Sequence, residues 1–392
     1  MQLGLCSLAI ACRSKIGGDC LVDEIVPNRR GDADRVESLD LLRGLAAFAV
    51  MIPHFFMYHV GDASPVAETF SVTAVEVFFV LSGFVLGPQI MLCAQRRNAA
   101  TLRTFLVRRW MRTVPSFLVA LLAMSVVYRA VGSSDFFRYM TYAQNLFAQY
   151  NERDYYPVAW SLSVEEWYYV VFPLFLLLYL ALVDRRERWR DCLAATVLFI
   201  ALISVVRIVH GDNADWGGRV RRVVAFRIDS IAYGFLLFLL LQRLRMEWDA
   251  RARWLLLVLL ASTTGLLVVV NTAMQADDAH WLRQINPFVS AAFGMSMLTF
   301  FLSIDSMFRK PWMKAGFTYL GRISYPTYLF HLVILFVLGR FLTTLGAPWS
   351  FFLYVGAVVA FTTLFFYGFE KVILASRPRY QKVGEELVLS RP

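Results

Sequence analysis

The chain has 392 residues, of which 58% are hydrophobic, 15% aromatic and only 17% charged, against roughly 25% charged residues in an ordinary soluble domain. That balance excludes a water-soluble globular protein, because water offers no place to bury so much apolar surface. A net charge of +10 would suit a nucleic-acid binder, but the arginines stand in short clusters between apolar blocks and form no continuous basic face, so no nucleic-acid partner is expected.

Residues 1–38 contain a weak apolar run, LGLCSLAIA, with no basic residue before it. This reads as a cytoplasmic tail rather than a cleavable signal peptide. Ten apolar blocks follow, near 39–60, 70–92, 113–131, 165–183, 193–210, 223–241, 254–272, 285–304, 322–340 and 349–369. Each is about as long as a helix needs to cross a hydrocarbon core of roughly 30 Å. The pattern predicts an all-α, polytopic transmembrane helical bundle over 39–372 and a second cytoplasmic tail over 373–392.

The connection 93–112 holds Arg96, Arg97, Arg103, Arg108, Arg109 and Arg112, whereas the loop 61–69 holds no basic residue. The first loop is therefore expected outside and the second inside. Basic stretches near 184–192, 242–253 and 305–321 and in the C-terminal tail continue the alternation, which puts both termini in the cytoplasm. The outer segment 211–222 departs from it, and its Arg219, Arg221 and Arg222 are expected to face an anionic acceptor or an anionic lipid. The longest outer stretch, 132–164, is rich in Tyr and Trp, which suits an interfacial segment or a cover over a site. All five cysteines (Cys6, Cys12, Cys20, Cys93 and Cys192) fall on the inner side, lack metal-like spacing, and predict no disulfide.

Charged groups inside a bilayer cost at least roughly 2.5–3.5 kcal/mol each, so each one retained needs a reason. Arg43 and His54, on the first span, are eleven residues apart. At 100° per residue they differ by only about 20° around the helix and by roughly 16 Å along it, so they share one face. Arg43 reads as a cation at the cytoplasmic end, and His54 as a histidine held between helices or a base. Pro53 loosens the helix beside His54. Glu76 on the second span is a candidate partner for one of the arginines, and Ser82 and Gly83 allow close helix approach. Glu165 and Glu166 stand at the outer end of the fourth span, where a helix N-terminus favours carboxylates.

Arg108, Arg109 and Arg112, in RRWMRTVP, are spaced to share a helical face, which serves either as a positive anchor or as a phosphate clamp. Arg227 and Asp229 open the sixth span, and His331 lies mid-way along the ninth. The histidines show neither HxxxH nor HExxH spacing, so no metal is expected.

In their order along the chain, these residues resemble acyltransferase family 3, the bacterial membrane O-acyltransferases that decorate surface glycans, lipopolysaccharide, exopolysaccharide and Nod factors. The resemblance spans roughly residues 36–380. It rests on an Arg ten intervening residues before a His (Arg43, His54), an arginine-rich stretch after the second span (Arg108, Arg109, Arg112), a W-S-L-x-x-E stretch (Trp160, Ser161, Leu162, Glu165) and an S-Y-x-x-Y-x-x-H stretch (Ser324, Tyr325, Tyr328, His331).

The resemblance implies transfer of an acyl group, most often acetyl, from cytoplasmic acyl-CoA to a sugar hydroxyl, at the bacterial inner membrane. The expected catalytic residues are His54, Arg43 and Glu165, and the expected donor-binding residues are Arg108, Arg109 and Arg112. Trp160, Ser161, Arg227, Asp229, Tyr325 and His331 are the candidate substrate-binding residues. The expected partners are a glycan or glycolipid acceptor and membrane lipid. Some relatives in this family carry a fused hydrolase-like domain, and with SRPRY following soon after Glu370, none is expected here. A proton-coupled transporter and a structural partner in polysaccharide assembly are the rival classes. The acceptor, the acyl chain and the oligomeric state are left open.

Overall fold

A computed structural model describes residues 36–61, 65–150, 154–183, 188–211, 216–244, 248–274, 280–308 and 310–380. Cys6, Cys12, Cys20 and nearly all of the expected N-terminal tail lie outside them. Among the described residues there is no β-strand, and ten helices are long and apolar enough to cross a membrane. In chain order the helices are α1 (Glu37–Phe55), α2 (Pro65–Arg96), α3 (Ala99–Val127), the short α4 (Ser134–Met140), α5 (Ala159–Val183), α6 (Arg188–His210), the four-residue α7 (Val224–Arg227), α8 (Asp229–Leu244), α9 (Ala250–Ala273), α10 (His280–Ile304), α11 (Pro311–Leu342), α12 (Ala347–Phe365) and α13 (Lys371–Ala375). The bundle is the all-α transmembrane architecture that the apolar blocks predict.

Several helices begin well before their apolar block. α3 starts at Ala99, α5 at Ala159 and α11 at Pro311, ahead of blocks at 113, 165 and 322. The 93–112 connection is thus mostly helix. Only Arg97 and Asn98 separate α2 from α3; Arg97 turns the chain at φ 46°, and the Asn98 side chain accepts from the Thr101 N–H at 2.8 Å. Hydropathy marks where lipid is tolerated, whereas a helix continues as long as its backbone bonds are satisfied. Glu165 and Glu166 consequently sit in the second turn of α5, away from the capping position expected for them.

The most extensive pairings are α1 with α11 and α2 with α8. Glycines set both. A Cβ on Gly83 would overlap the Ile231 carbonyl oxygen, and one on Gly234 would overlap that of Val80, so α2 and α8 meet backbone to backbone. On the other seam, a Cβ on Gly44 would press on Leu320, and one on Gly321 on Asp40. Helix α9, at the other extreme, is the least buried of the ten spans.

Two ion pairs lie inside this packing. Arg227 donates to both Glu76 oxygens at 2.5 and 2.6 Å, and Arg207 donates to Asp229 at 3.1 Å and to the Phe226 carbonyl at 2.6 Å. Both arginines are fully buried. Arg227 and Asp229 flank the break between α7 and α8 and bind separate partners, tying α2 and α6 to that junction.

The stretch after α3 packs into the bundle. Tyr139, Tyr142, Tyr155 and Tyr156 are buried. Tyr156 donates to the Leu329 carbonyl of α11 at 3.0 Å, Asn145 to the Trp160 carbonyl of α5 at 3.1 Å, and Trp167 to the Tyr142 carbonyl at 3.0 Å. At the other end of the chain, residues 376–380 are docked: Arg108 donates to the Pro378 carbonyl at 2.5 Å and Tyr380 to Gln89 at 3.3 Å. Cys93 and Cys192 are buried and free.

Candidate active site

Helices α1, α2, α3, α5 and α11 enclose a cavity of about 200 Å³ lined by Arg43, Arg109, Arg112 and Arg377 together with apolar residues of α2. Arg43 reaches it from α1, held loosely by Asp40 at 3.4 Å. Arg109 is anchored by donation to Gln89 Oε1 at 2.8 Å. Arg377, beyond the last span, is lowered to about 9 by burial first and then by Arg112, Arg109 and Arg108, with Glu370 opposing. It stays cationic at neutral pH, in a crowd of like charge. Among the described residues no carboxylate lies within ion-pair distance of Arg108, Arg109, Arg112 or Arg377. The carboxylate that lines the cavity, Glu165, is taken up by Ser82 and Tyr169, which both donate to one of its oxygens. Such a set of forks without carboxylate partners suits phosphate.

A second cavity, of about 60 Å³, is lined by His54, Tyr58, Glu68, Ser71, Trp160, Arg221 and Arg222 among others. It has room for a few waters. His54 comes from the last turn of α1, just after Pro53, where the helix widens into a π-helical turn over Phe56–Val60 and ends at Gly61 in the left-handed region at φ 80°. Turns of this kind often mark functional sites. The ring of His54 lies against that of His331 from α11, with Nδ1 of the first 2.9 Å from Nε2 of the second. Arg221 and Arg222 are ion-paired, to Glu68 at 3.1 Å and to Asp154 at 2.8 Å. Burial first, and Arg222 next, push Arg221 below the usual arginine range, while Glu68 pulls it back.

Val75 and Tyr328 line both cavities. They form the wall between them. Tyr328 is held there by hydroxyl contacts, 2.5 Å to Ser161 Oγ and 3.0 Å to the Val158 carbonyl.

Residues 36–370 match the acyltransferase domain family. The chain belongs to that family. Its similar relatives include a provisionally named O-acetyltransferase of Staphylococcus aureus strain COL, 20% identical over 329 residues, and the O-acetyltransferase OatA of Staphylococcus aureus strain NCTC 8325, 22% identical over 313 residues. Each match covers 76% of this chain and 50% of the relative, so the chain spans about half the length of the curated relatives it matches. No solved structure matches it.

In this acyltransferase-family chain the expected site residues divide among three places. Arg43, Arg109, Arg112, Ser161, Glu165 and Tyr325 line the basic cavity, and His54 and Trp160 line the other. Arg43 and His54 share a helix face, as their spacing predicts, but they open into different chambers. Arg108 turns from the basic cavity to the C-terminal segment, binding Pro378 and lying 5.3 Å from the centre of the Tyr380 ring. Arg227 and Asp229 line neither cavity and are spent in buried ion pairs. His331 lines neither and meets His54 instead. The sequence gives no hint of Arg377, which follows the last apolar block in what reads as a tail. Glu68 and Tyr58 are ordinary residues near helix ends and Ser71 lies in the second turn of α2, with no sequence pattern to mark any of them.

Proposed function

We propose that this chain is an integral membrane O-acyltransferase that moves an acyl group, acetyl foremost, from acyl-CoA to a hydroxyl of a glycan or glycolipid. The observation that carries the proposal is the pair of unlike cavities meeting at one wall: a carboxylate-poor arginine chamber on one side, a histidine chamber on the other. Arg43, Arg109, Arg112 and Arg377 would hold the phosphates of acyl-CoA at the cytoplasmic face of the bacterial inner membrane. The basic cavity is smaller than the roughly 300–1,000 Å³ of pockets that engulf drug-sized ligands. It suits a narrow acyl-bearing arm, with the nucleotide at its mouth.

The histidine chamber would receive the acceptor hydroxyl. The ion pairs Glu68–Arg221 and Arg222–Asp154 offer donors and acceptors together, and Trp160 and Tyr58 offer ring faces, a combination that suits a polyhydroxylated sugar. The chemistry needs a base, because a hydroxyl attacks a thioester only as its proton leaves, and an imidazole has the right basicity near neutral pH. His54 is that base. Its proton passes on to the departing thiolate as the C–S bond breaks and the ester C–O bond forms.

Purified protein in detergent, given acetyl-CoA and a glycan acceptor, tests this. Loss of a positioned general base costs about a hundred- to ten-thousandfold. His54→Gln keeps a hydrogen-bonding group but accepts no proton, and is expected to lose transfer by that factor while still binding acetyl-CoA. Transfer at close to the parental rate would sink the assignment and direct attention to Glu165. Transport of a glycan without acyl-CoA would favour the transporter class instead.

A further inference from the structure

His331 was expected at the substrate, yet it is fully buried, 277 residues from His54 in sequence and in direct contact with it in space. The hydrogen bonds around it leave few choices. Its Nδ1 lies 2.8 Å from the Tyr328 carbonyl oxygen and 3.1 Å from that of Thr327. Carbonyl oxygens only accept, so Nδ1 must carry the proton. In a neutral imidazole the other nitrogen is then a bare acceptor, and that nitrogen, Nε2, is the one facing His54.

The bond between the rings is therefore donated by His54. The two planes are only 8° apart, with centroids separated by 5.1 Å against 2.9 Å between the bonded nitrogens. The bond thus runs along the line joining the ring centres, as a well-aligned N–H···N bond requires. With its single proton on Nδ1, neutral His54 keeps its lone pair on Nε2. That nitrogen faces the second cavity, where the Ser71 hydroxyl lies 3.4 Å away.

We infer that His331 is a positioning residue that fixes the tautomer of His54, so that the cavity-facing Nε2 is the atom able to take a proton. The inference rests on His54 being the base. The peptide carbonyls of α11 set His331, His331 sets His54, and neither step involves the substrate. When Nε2 takes the acceptor's proton, the Nδ1–H of the resulting imidazolium still donates to His331, which stabilises the cation without itself becoming protonated. Nε2 then returns its proton to the thiolate.

The comparable contact in a serine hydrolase triad shows the scale, since the wrong histidine tautomer there lowers kcat about ten-thousandfold. His331→Leu removes the acceptor, and His331→Gln restores one, because the glutamine carbonyl can reach the position of Nε2. The expected result is a fall in kcat of at least about a hundredfold for His331→Leu with the KM of acetyl-CoA unchanged, and a rate within about tenfold of the parent for His331→Gln. Activity near the parent for His331→Leu, or equal losses in both variants, would overturn the inference.

A second measurement does not depend on activity. Solid-state ¹⁵N spectra of histidine-labelled protein, with the His54 signals assigned by difference against His54→Ala, should show a neutral ring protonated on Nδ1. A ring protonated on Nε2 would also overturn it. Arg221, Arg222, Glu68 and Tyr58 face the same cavity, so the spectra are compared at one pH where the ring is neutral. Should His54→Gln stay active, the base assignment fails whatever the spectra show. Should His54 prove essential while His331→Leu is silent, only the positioning role fails.

Discussion

Arginine appears in two settings in this bundle, and they differ in almost every physical respect. Arg207 and Arg227 are fully buried, each against a carboxylate, and line neither of the two cavities described above. Arg109, Arg112 and Arg377 crowd one chamber, with no carboxylate at ion-pair distance among the described residues. The first group is neutralised within the fold and serves to pin helices together. The second repels itself, and repulsion of that kind is relieved by an anion brought from elsewhere. An arginine within an apolar span is thus read by its partners rather than by its depth.

The sharpest way to break this contrast is to unpair a buried arginine. Arg227→Met leaves Glu76 buried and uncompensated, which should cost about 3–5 kcal/mol and show as a large drop in folded yield and melting temperature in detergent. Arg227→Met with Glu76→Leu should recover most of that loss, since an apolar pair can replace a buried ion pair. A stable single variant would remove the structural reading of the pair.

A smaller effect is expected in the basic cavity. Arg112→Ala should weaken CoA binding about tenfold, about 1.4 kcal/mol, measured by calorimetry, and leave the melting temperature within about a degree or two. Unchanged affinity, alone and combined with Arg109→Ala, would return these arginines to an anchoring role. The smallest effect belongs to the half-exposed Arg222–Asp154 pair. Arg222→Ala should change stability by no more than about 1 kcal/mol while raising the acceptor KM. An unaltered acceptor KM would detach this arginine from acceptor binding.

The ten spans were legible because lipid demands long apolar blocks, and the shared face of Arg43 and His54 followed from helical phase alone. Glu76 was rightly suspected of pairing with an arginine. Less accessible were features that depend on tertiary partners. Arg227 and Asp229 look like site residues because charge in a membrane segment is expensive, and only the fold reveals that Glu76 and Arg207 satisfy them. The His54–His331 contact joins the first and ninth spans, and no local pattern records it. Helical spacing already places Arg108, Arg109 and Arg112 on one face, but the first turns of α3 before them are polar, which hides that part of the helix from a hydropathy reading.

Gly83 and Gly234 turn α2 and α8 into a stator. Their backbones are in contact, and the Arg227–Glu76 pair bolts the α7–α8 junction to α2 as well, so these helices have little freedom to slide or part. Val75, one side of the wall between the chambers, is carried by this fixed half. Tyr328, the other side, rides on α11 two residues after Pro326, where a missing N–H weakens the helix ladder. Of the two sides of that wall, Tyr328 is thus the one beside a break in its own helix ladder, and it faces a firm α2.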